Sequence, residues 1–324
     1  MTTFLRIALA LSTLYIASAI GIDRAVSQNA SAQINVSTED GFYGRRDSKH
    51  TYVPGGAIGK DRITPYIFNG KPSHYDDVFG ISYKKEDGLN YICSGTLIGP
   101  HQIITAGHCG CGIKSSYQVT NSANIRSASK WFSVKEVLLF DGYYCGNDKI
   151  IGNDLAILIL NADPKGPTHR LRHLIPHPMA SVASWPATFR ALGYGLTEKS
   201  GWGLRLEAHI PVLSINCADK QFTKRGCTPF VEMILADRRP SGTAVSDTCG
   251  GDSGGPIMAQ LPGDPKARLV GVTSRGMGSD QQSASLHCGG GGIYTVLGRY
   301  SVARWLDSLG IDKSDPTPSG RVTE

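Results

Sequence analysis

Beyond its first twenty residues the 324-residue chain has no apolar segment long enough to cross a bilayer, which argues against stable membrane association. It also lacks any run of like charges. Its 33 basic and 27 acidic residues leave a formal charge of +6, spread in singles and in pairs such as Arg45-Arg46 and Arg238-Arg239. So diffuse a balance reads as solvated surface and argues against a nucleic-acid partner. No second Cys/His pair stands at ligand spacing to complete His108-Cys109-Gly110-Cys111, so a zinc reading of that segment lacks donors. Residues 115–130 are rich in Ser and Asn but contain no carboxylate, and so form no acidic calcium loop.

What is present suits an exported globular protein. Hydrophobic residues make up 40% of the chain, enough for one large domain or two smaller ones. Arg6 precedes an apolar stretch at residues 7–16 and the small residues Ala17-Ser18-Ala19. This is the pattern of a signal peptide, residues 1–19, because the stretch is short for a span and ends in an A-x-A site; an N-terminal anchor is the competing reading. Residues 20–66 have few large apolar residues in periodic array and read as a pro-segment. Asn29-Ala30-Ser31 and Asn35-Val36-Ser37 within it fit the glycosylation pattern, which matters only in a eukaryotic host. In an oxidising compartment the eight cysteines form four bridges, for which pairing arithmetic leaves 105 connectivities open.

From about residue 67 short apolar or alternating runs follow one another between Gly, Pro, Asn and Asp. Thr96-Leu97-Ile98, Ile103-Ile104-Thr105 and residues 134–140, 155–160, 189–192, 269–274 and 292–296 predict strands of a sandwich or barrel. Residues 300–309 predict a helix, with Tyr300, Ala303, Trp305, Leu306 and Leu309 largely on one face before Gly310. The tail, 311–324, reads as disordered. A Pro-rich connection at 176–186 divides the body into halves that share no repeat.

Three segments carry chemistry. Cys249-Gly250-Gly251-Asp252-Ser253-Gly254-Gly255-Pro256 sets a serine among glycines that permit a tight turn and close backbone approach, with the amides of Gly251 and Ser253 free to converge on a developing oxyanion. A serine nucleophile needs a base, and the base an orienting carboxylate. Thr105-Ala106-Gly107-His108-Cys109 offers a histidine just after an apolar strand, and Gly152-Asn153-Asp154-Leu155-Ala156-Ile157-Leu158 an aspartate at the start of another. Singly they would read as a turn, a surface histidine and a strand-start residue.

Together these segments resemble the trypsin-like serine protease family, whose chain order His, Asp, Ser they share. The resemblance runs over residues 67–310 and includes Ser94-Gly95-Thr96-Leu97-Ile98, Gly193-Tyr194-Gly195, Ser274-Arg275-Gly276, Gly292-Ile293-Tyr294 and the C-terminal helix. It implies an all-β fold of two packed antiparallel six-stranded β-barrels, about 67–176 and 187–299, with a helix at 300–309 and the active site in the cleft between barrels. It implies a secreted endopeptidase, extracellular or periplasmic, that hydrolyses peptide bonds after Arg or Lys through an acyl-enzyme and is made as a zymogen. His108, Asp154 and Ser253 would be catalytic, with the amides of Gly251 and Ser253 as oxyanion hole. Asp247, six residues before Ser253, would meet the basic side chain, and Ser274, Gly276 and Gly292 would line the substrate site. Arg275 departs from the pattern, since an aromatic residue is common there.

The resemblance also implies bridges Cys93–Cys109 and Cys249–Cys288. Proximity favours Cys111–Cys145 and Cys217–Cys227 for the rest, although the family's usual partner for Cys217 falls at Leu235. Ile67-Phe68-Asn69-Gly70 resembles the terminus freed on activation, whose amine pairs with the aspartate before the nucleophile, here Asp252. Tyr66 stands where Arg or Lys usually precedes the cut, so a different protease, or trimming after cleavage at Arg62-Ile63, would generate Ile67. Implied partners are polypeptide substrates, an activating protease and protein inhibitors; a monomer with neither cofactor nor metal is implied. A protease-like fold turned to binding would lack a triad residue, and none is lost. A digestive role and a narrow regulatory one are both compatible with these residues.

Overall fold

The computed structural model describes residue 67 and residues 69–146, 152–164, 174–175, 178–197, 201–237, 246–277 and 289–311. The expected signal peptide and pro-segment, residues 312–324 of the tail, Tyr66 and Cys288 lie outside the described residues.

After the two-residue strand β1 (Lys71–Pro72), six strands close a barrel: β2 (Val78–Lys84), β3 (Asn90–Gly99), β4 (Gln102–Thr105), β5 (Gln118–Thr120), β6 (Phe132–Leu139) and β7 (Ala156–Leu160). They run antiparallel in the order β2-β3-β4-β7-β6-β5, with β5 returning to β2. Closure leaves no sheet edge and turns alternate side chains inward, and Phe79, Ile81, Leu97 and Ile103 belong to the buried apolar cluster that results, with Ile104 and Leu155 adding to it.

A second six-strand barrel follows: β8 (Thr188–Gly193), β9 (Leu206–Ser214), β10 (Glu232–Leu235), β11 (Pro256–Gln260), β12 (Ala267–Gly276) and β13 (Gly292–Val296). Its order is β9-β10-β13-β12-β11-β8, and β8 pairs back with β9. Phe189, Ile210, Met233, Ile257, Val270 and Tyr294 fill it. The two barrels match the all-β architecture expected above.

Several features differ from the sequence reading. The first half was expected to begin its barrel at residue 67, but Ile67 is buried in the second barrel's core and β1 pairs with β9. The chain therefore starts on one barrel and crosses to the other. A short helix, α1 (Lys220–Thr223), was not foreseen; Asp219 caps it by accepting from the Gln221 amide at 2.9 Å. In α2 (Tyr300–Ser308) the buried face is Val302, Trp305 and Leu306, whereas Tyr300 is 73% exposed. The helix rotates that way because Trp305 packs edge-on against Phe140 of the first barrel, ring centroids 5.0 Å apart. Thus the helix that ends the second half covers the first.

Disulfides join Cys93 to Cys109, Cys111 to Cys145 and Cys217 to Cys227. Cys249 is also disulfide-bonded, and its expected partner lies outside the described residues. Leu235 is fully buried on β10 among apolar neighbours, as a leucine in place of a bridging cysteine should be. Cys217 instead closes a ten-residue loop around α1.

Tyr194, just after β8, ties the barrels together. Its hydroxyl lies 3.0 Å from the carbonyls of both Val78 and Ser122, and its amide donates to Ser94 Oγ at 3.0 Å. Tyr194→Phe removes the single O–H donor while keeping the ring, and takes from the buried Val78 carbonyl and the half-buried Ser122 carbonyl the hydroxyl they share. The variant is expected to lose about 1–2 kcal/mol and to melt roughly 2–8 °C lower by circular dichroism; an unchanged Tm would show that the contact carries no stability.

Candidate active site

His108 opens a 3-10 turn, residues 108–110, directly after β4, and the Cys93–Cys109 bridge ties that turn to β3. Gly107 has to be glycine here, since a Cβ would come within 2.8 Å of the Tyr143 ring. The residue is 7% exposed, and its ring Nδ1 lies 2.9 Å from Asp154 Oδ2, while the His108 amide donates to Asp154 Oδ1 at 2.9 Å. One carboxylate thus holds both the ring and the backbone of one histidine.

Asp154 is fully buried at the entry to β7. The two residues before it, Gly152 and Asn153, sit in the left-handed region at φ 54° and 52°. Ser274, expected at the substrate site, donates its hydroxyl to Asp154 Oδ2 at 2.6 Å. Burial acts to raise the Asp154 pKa, but the His108 ring and amide and the Ser274 hydroxyl together outweigh it, and the carboxyl stays below its ordinary value. The residue is therefore a carboxylate at neutral pH.

Ser253 lies on the turn between Cys249 and β11. Gly251, at φ 97°, and Gly254, at φ 81°, adopt a backbone closed to other residues, and a Cβ on Gly254 would run into Thr105 Oγ1 and the Ser94 carbonyl. The Gly250 carbonyl accepts from the Leu196 amide at 2.7 Å. In a trans peptide the neighbouring N–H, that of Gly251, then points the opposite way from that carbonyl. The Ser253 carbonyl accepts from the Ser94 amide at 2.7 Å, and Gly254 donates to the Thr273 carbonyl at 2.8 Å, so strands of both barrels seat the turn. Cys109 Sγ, next in the chain to His108, lies 3.6 Å from the Ser253 carbonyl. Ser253 Oγ is buried and has no hydrogen-bond partner among the described residues. A nucleophile's hydrogen bond to its base is commonly loose before substrate arrives.

Asp247, which the sequence alone would allow as a surface turn, is 1% exposed. Its Oδ2 accepts from the amides of Gly289 and Gly291 at 2.7 and 3.0 Å, and its Oδ1 from Thr248 at 2.8 Å. Burial pushes its pKa up to about 6 against the pull of those amides. Gly276 faces Gly292 across the β12–β13 ladder, and Gly292 has no room for a Cβ against the Tyr294 ring.

Asp252 is also fully buried, accepting from Gly195 at 2.7 Å and Cys249 at 2.8 Å. Burial drives its pKa up to about 7, and the charge of Asp247 adds to that. A Cβ on Gly193 or on Gly195 would collide with this carboxyl, which explains both glycines of the Gly193-Tyr194-Gly195 motif. Ile67 is 1% exposed.

Among the described residues Cys93, His108 and Cys109 group their sulfur and nitrogen atoms closely, but both sulfurs are spent in a disulfide and offer no thiolate to a metal. Sequence reasoning missed Glu232, whose carboxylate accepts from the Gly152 amide at 3.2 Å, and Arg299, which donates to Asn153 Oδ1 at 2.9 Å. Neither belongs to a motif; each reaches the Asp154 turn from far along the chain. Among the described residues no helix is long and apolar enough to cross a membrane.

Comparison with known proteins places the chain in a family. The chain is 28% identical to trypsin zeta of Drosophila melanogaster over 204 residues, covering 59% of this chain and 67% of the relative. It is 24% identical to CLIP domain-containing serine protease B4 of Anopheles gambiae over 284 residues, 79% of this chain and 74% of the relative. With tissue-type plasminogen activator of Rattus norvegicus the identity is 25% over 259 residues, 74% of this chain, which spans only 43% of that larger protein. The model of the trypsin family matches residues 67–303, most of the sequence and both barrels. The chain belongs to the trypsin family of serine endopeptidases.

Proposed function

We propose that the protein is a secreted enzyme that cleaves polypeptides after Arg or Lys through an acyl-enzyme intermediate, with Ser253 as nucleophile, His108 as general base and acid, and Asp154 as orienting carboxylate. The observation that carries the reading is the 2.9 Å contact between His108 Nδ1 and the buried, ionised Asp154. A carboxylate there fixes the tautomer that leaves Nε2 able to take the serine proton, and it stabilises the imidazolium that results. The proton later goes to the leaving amine. The Gly251 and Ser253 amides supply the oxyanion hole, made rigid by the glycine turn. Ser253→Ala is expected to lower kcat by several orders of magnitude, leaving about a thousandfold over water, and to abolish labelling by an organophosphonate probe. Equal labelling of variant and wild type would rule Ser253 out.

Specificity is assigned to Asp247, whose buried charge is met among the described residues by backbone amides and is best satisfied by a guanidinium or ammonium. Protonation as pH drops through about 6 removes that attraction. The ratio of kcat/KM on an Arg substrate to that on an uncharged one should therefore fall below pH 6, dividing out the protonation of groups common to both. In Asp247→Ser the ratio should be low and flat with pH. A wild-type preference for Phe or Leu would refute the assignment.

Activation is assigned to cleavage that frees the amine of Ile67 to pair with Asp252, ordering pocket and oxyanion hole. In the uncleaved chain Asp252 holds a proton from about pH 4 to about 7 that it loses when unfolded, so the precursor binds more protons when native and loses stability as pH rises through that window. An ammonium beside Asp252 lowers its pKa and removes the loss. Urea midpoints of the precursor should fall between about pH 4 and about 7, those of the cleaved enzyme should fall less and only to about pH 6, where Asp247 alone contributes, and Asp252→Asn should reduce the precursor's slope. Terminal sequencing of active enzyme should begin at Ile67; full activity in a chain starting before residue 63 would overturn the mechanism.

A further inference from the structure

Glu232 and Arg275 form a buried ion pair that neither the triad nor the pocket requires. Glu232, at the start of β10, has a fully buried side chain; that of Arg275, on β12, is 16% exposed. The guanidinium grips the carboxylate with both arms, NH1 to Oε1 at 2.6 Å and NH2 to Oε2 at 2.9 Å. The same carboxylate accepts from the amides of Gly152 at 3.2 Å and Thr228 at 2.7 Å. Four donors compensate a buried charge that would otherwise be expensive.

Arg275 NH2 also donates to the Gly226 carbonyl at 2.7 Å, while NH1 leads toward Asp154. NH1 also donates to Ser274 Oγ at 3.1 Å, and Ser274 Oγ in turn donates to Asp154 Oδ2 at 2.6 Å. By taking a hydrogen bond from an obligate donor, the Ser274 hydroxyl keeps its own proton for the carboxylate. The path continues from Arg275 to Glu232, to the Gly152 amide, and along the chain through Asn153 back to Asp154. It is a closed ring with Asp154 as one member. Gly152 and Asn153 both adopt the left-handed conformation, which in the non-glycine Asn153 persists where its surroundings hold it, and Glu232, on the preceding amide, is one of the groups that hold the turn.

We propose that Glu232 and Arg275 are positioning residues that set the Asp154 carboxylate against His108, Glu232 through the Gly152 amide and Arg275 through the Ser274 hydroxyl. The proposal rests on the triad assignment above. Stability alone does not call for such a pair, since well-packed apolar replacements of buried ion pairs commonly fold as well or better. It places Arg275, which stands where an aromatic residue is common in the family, behind the catalytic carboxylate.

The deciding variant is the charge-free double substitution Glu232→Met with Arg275→Leu, compared with wild type on one Arg substrate. The Tm is expected at or above that of wild type, KM within about threefold, and kcat lower by roughly ten- to a hundredfold from the misplaced dyad. Ser274→Ala should lower kcat by itself yet add little on top of the double variant, because both act on one path. A folded double variant with wild-type kcat would overturn the proposal. Should that protein fail to fold, Arg275→Lys retains the charge without the two-armed grip: a lowered kcat at unchanged KM supports the proposal, and an unchanged kcat overturns it. Failure of the triad assignment is distinguishable, since wild-type turnover would then survive Ser253→Ala, and would overturn both.

Discussion

A carboxylate with no exposed surface is tolerable only where donors surround it, and Asp154 meets that condition with groups from both barrels. From its own barrel come the His108 ring and amide; from the other comes the Ser274 hydroxyl, while Thr295 Oγ1 reaches its carbonyl at 3.4 Å. The turn that carries it is held from the second barrel as well, by Glu232 on Gly152 and Arg299 on Asn153. Pulled away from the second barrel, Asp154 would lose the hydroxyl that helps keep it ionised, and its turn would lose its clamps. The dyad is a property of the packed pair of barrels, although both of its members belong to one.

Asp247 and Asp252 show the opposite arrangement. Both are fully buried, yet their donors are backbone amides carrying only partial charge, and their pKa values rise to about 6 and about 7 while that of Asp154 falls. The difference lies in the partner: an imidazole ring and a hydroxyl offset desolvation where amides alone do not. Under the proposed mechanism each is left short of a cation that arrives later, one brought by the substrate and the other by the chain's own freed amine. Binding energy for a basic side chain and switching on by cleavage then draw on the same physical deficit.

Dense glycines make these sites possible. Gly193, Gly195 and Gly251 lie so close around Asp252 that a single added carbon on any of them would force the packing apart. The same closeness lets the Ser253 turn be seated by Ser94 on one side and Thr273 on the other. Rigidity of this kind suits a site whose donors must be in place before charge develops.

Much of this was legible in the residues themselves. Apolar runs such as Ala156-Ile157-Leu158-Ile159-Leu160 announce strands because both faces of a barrel strand near the interface are covered, and the glycine-flanked serine, the strand-end histidine and the strand-start aspartate are local patterns. Shorter or more polar strands escaped: β5 is three residues long, and β9 carries Glu207 and His209, so neither shows a clean period. The face of α2 was misjudged at Tyr300 because helical spacing gives a stripe of several residues, and only the position of Phe140 chooses which of them turns inward. Local chemistry in the sequence determined which residues could act and in what order they come. Tertiary structure alone decided that Ile67 packs with the second barrel, that Ser274 serves Asp154, and that Glu232 reaches Gly152 from 80 positions away, because such contacts depend on barrel closure and packing between segments whose separation no local pattern records.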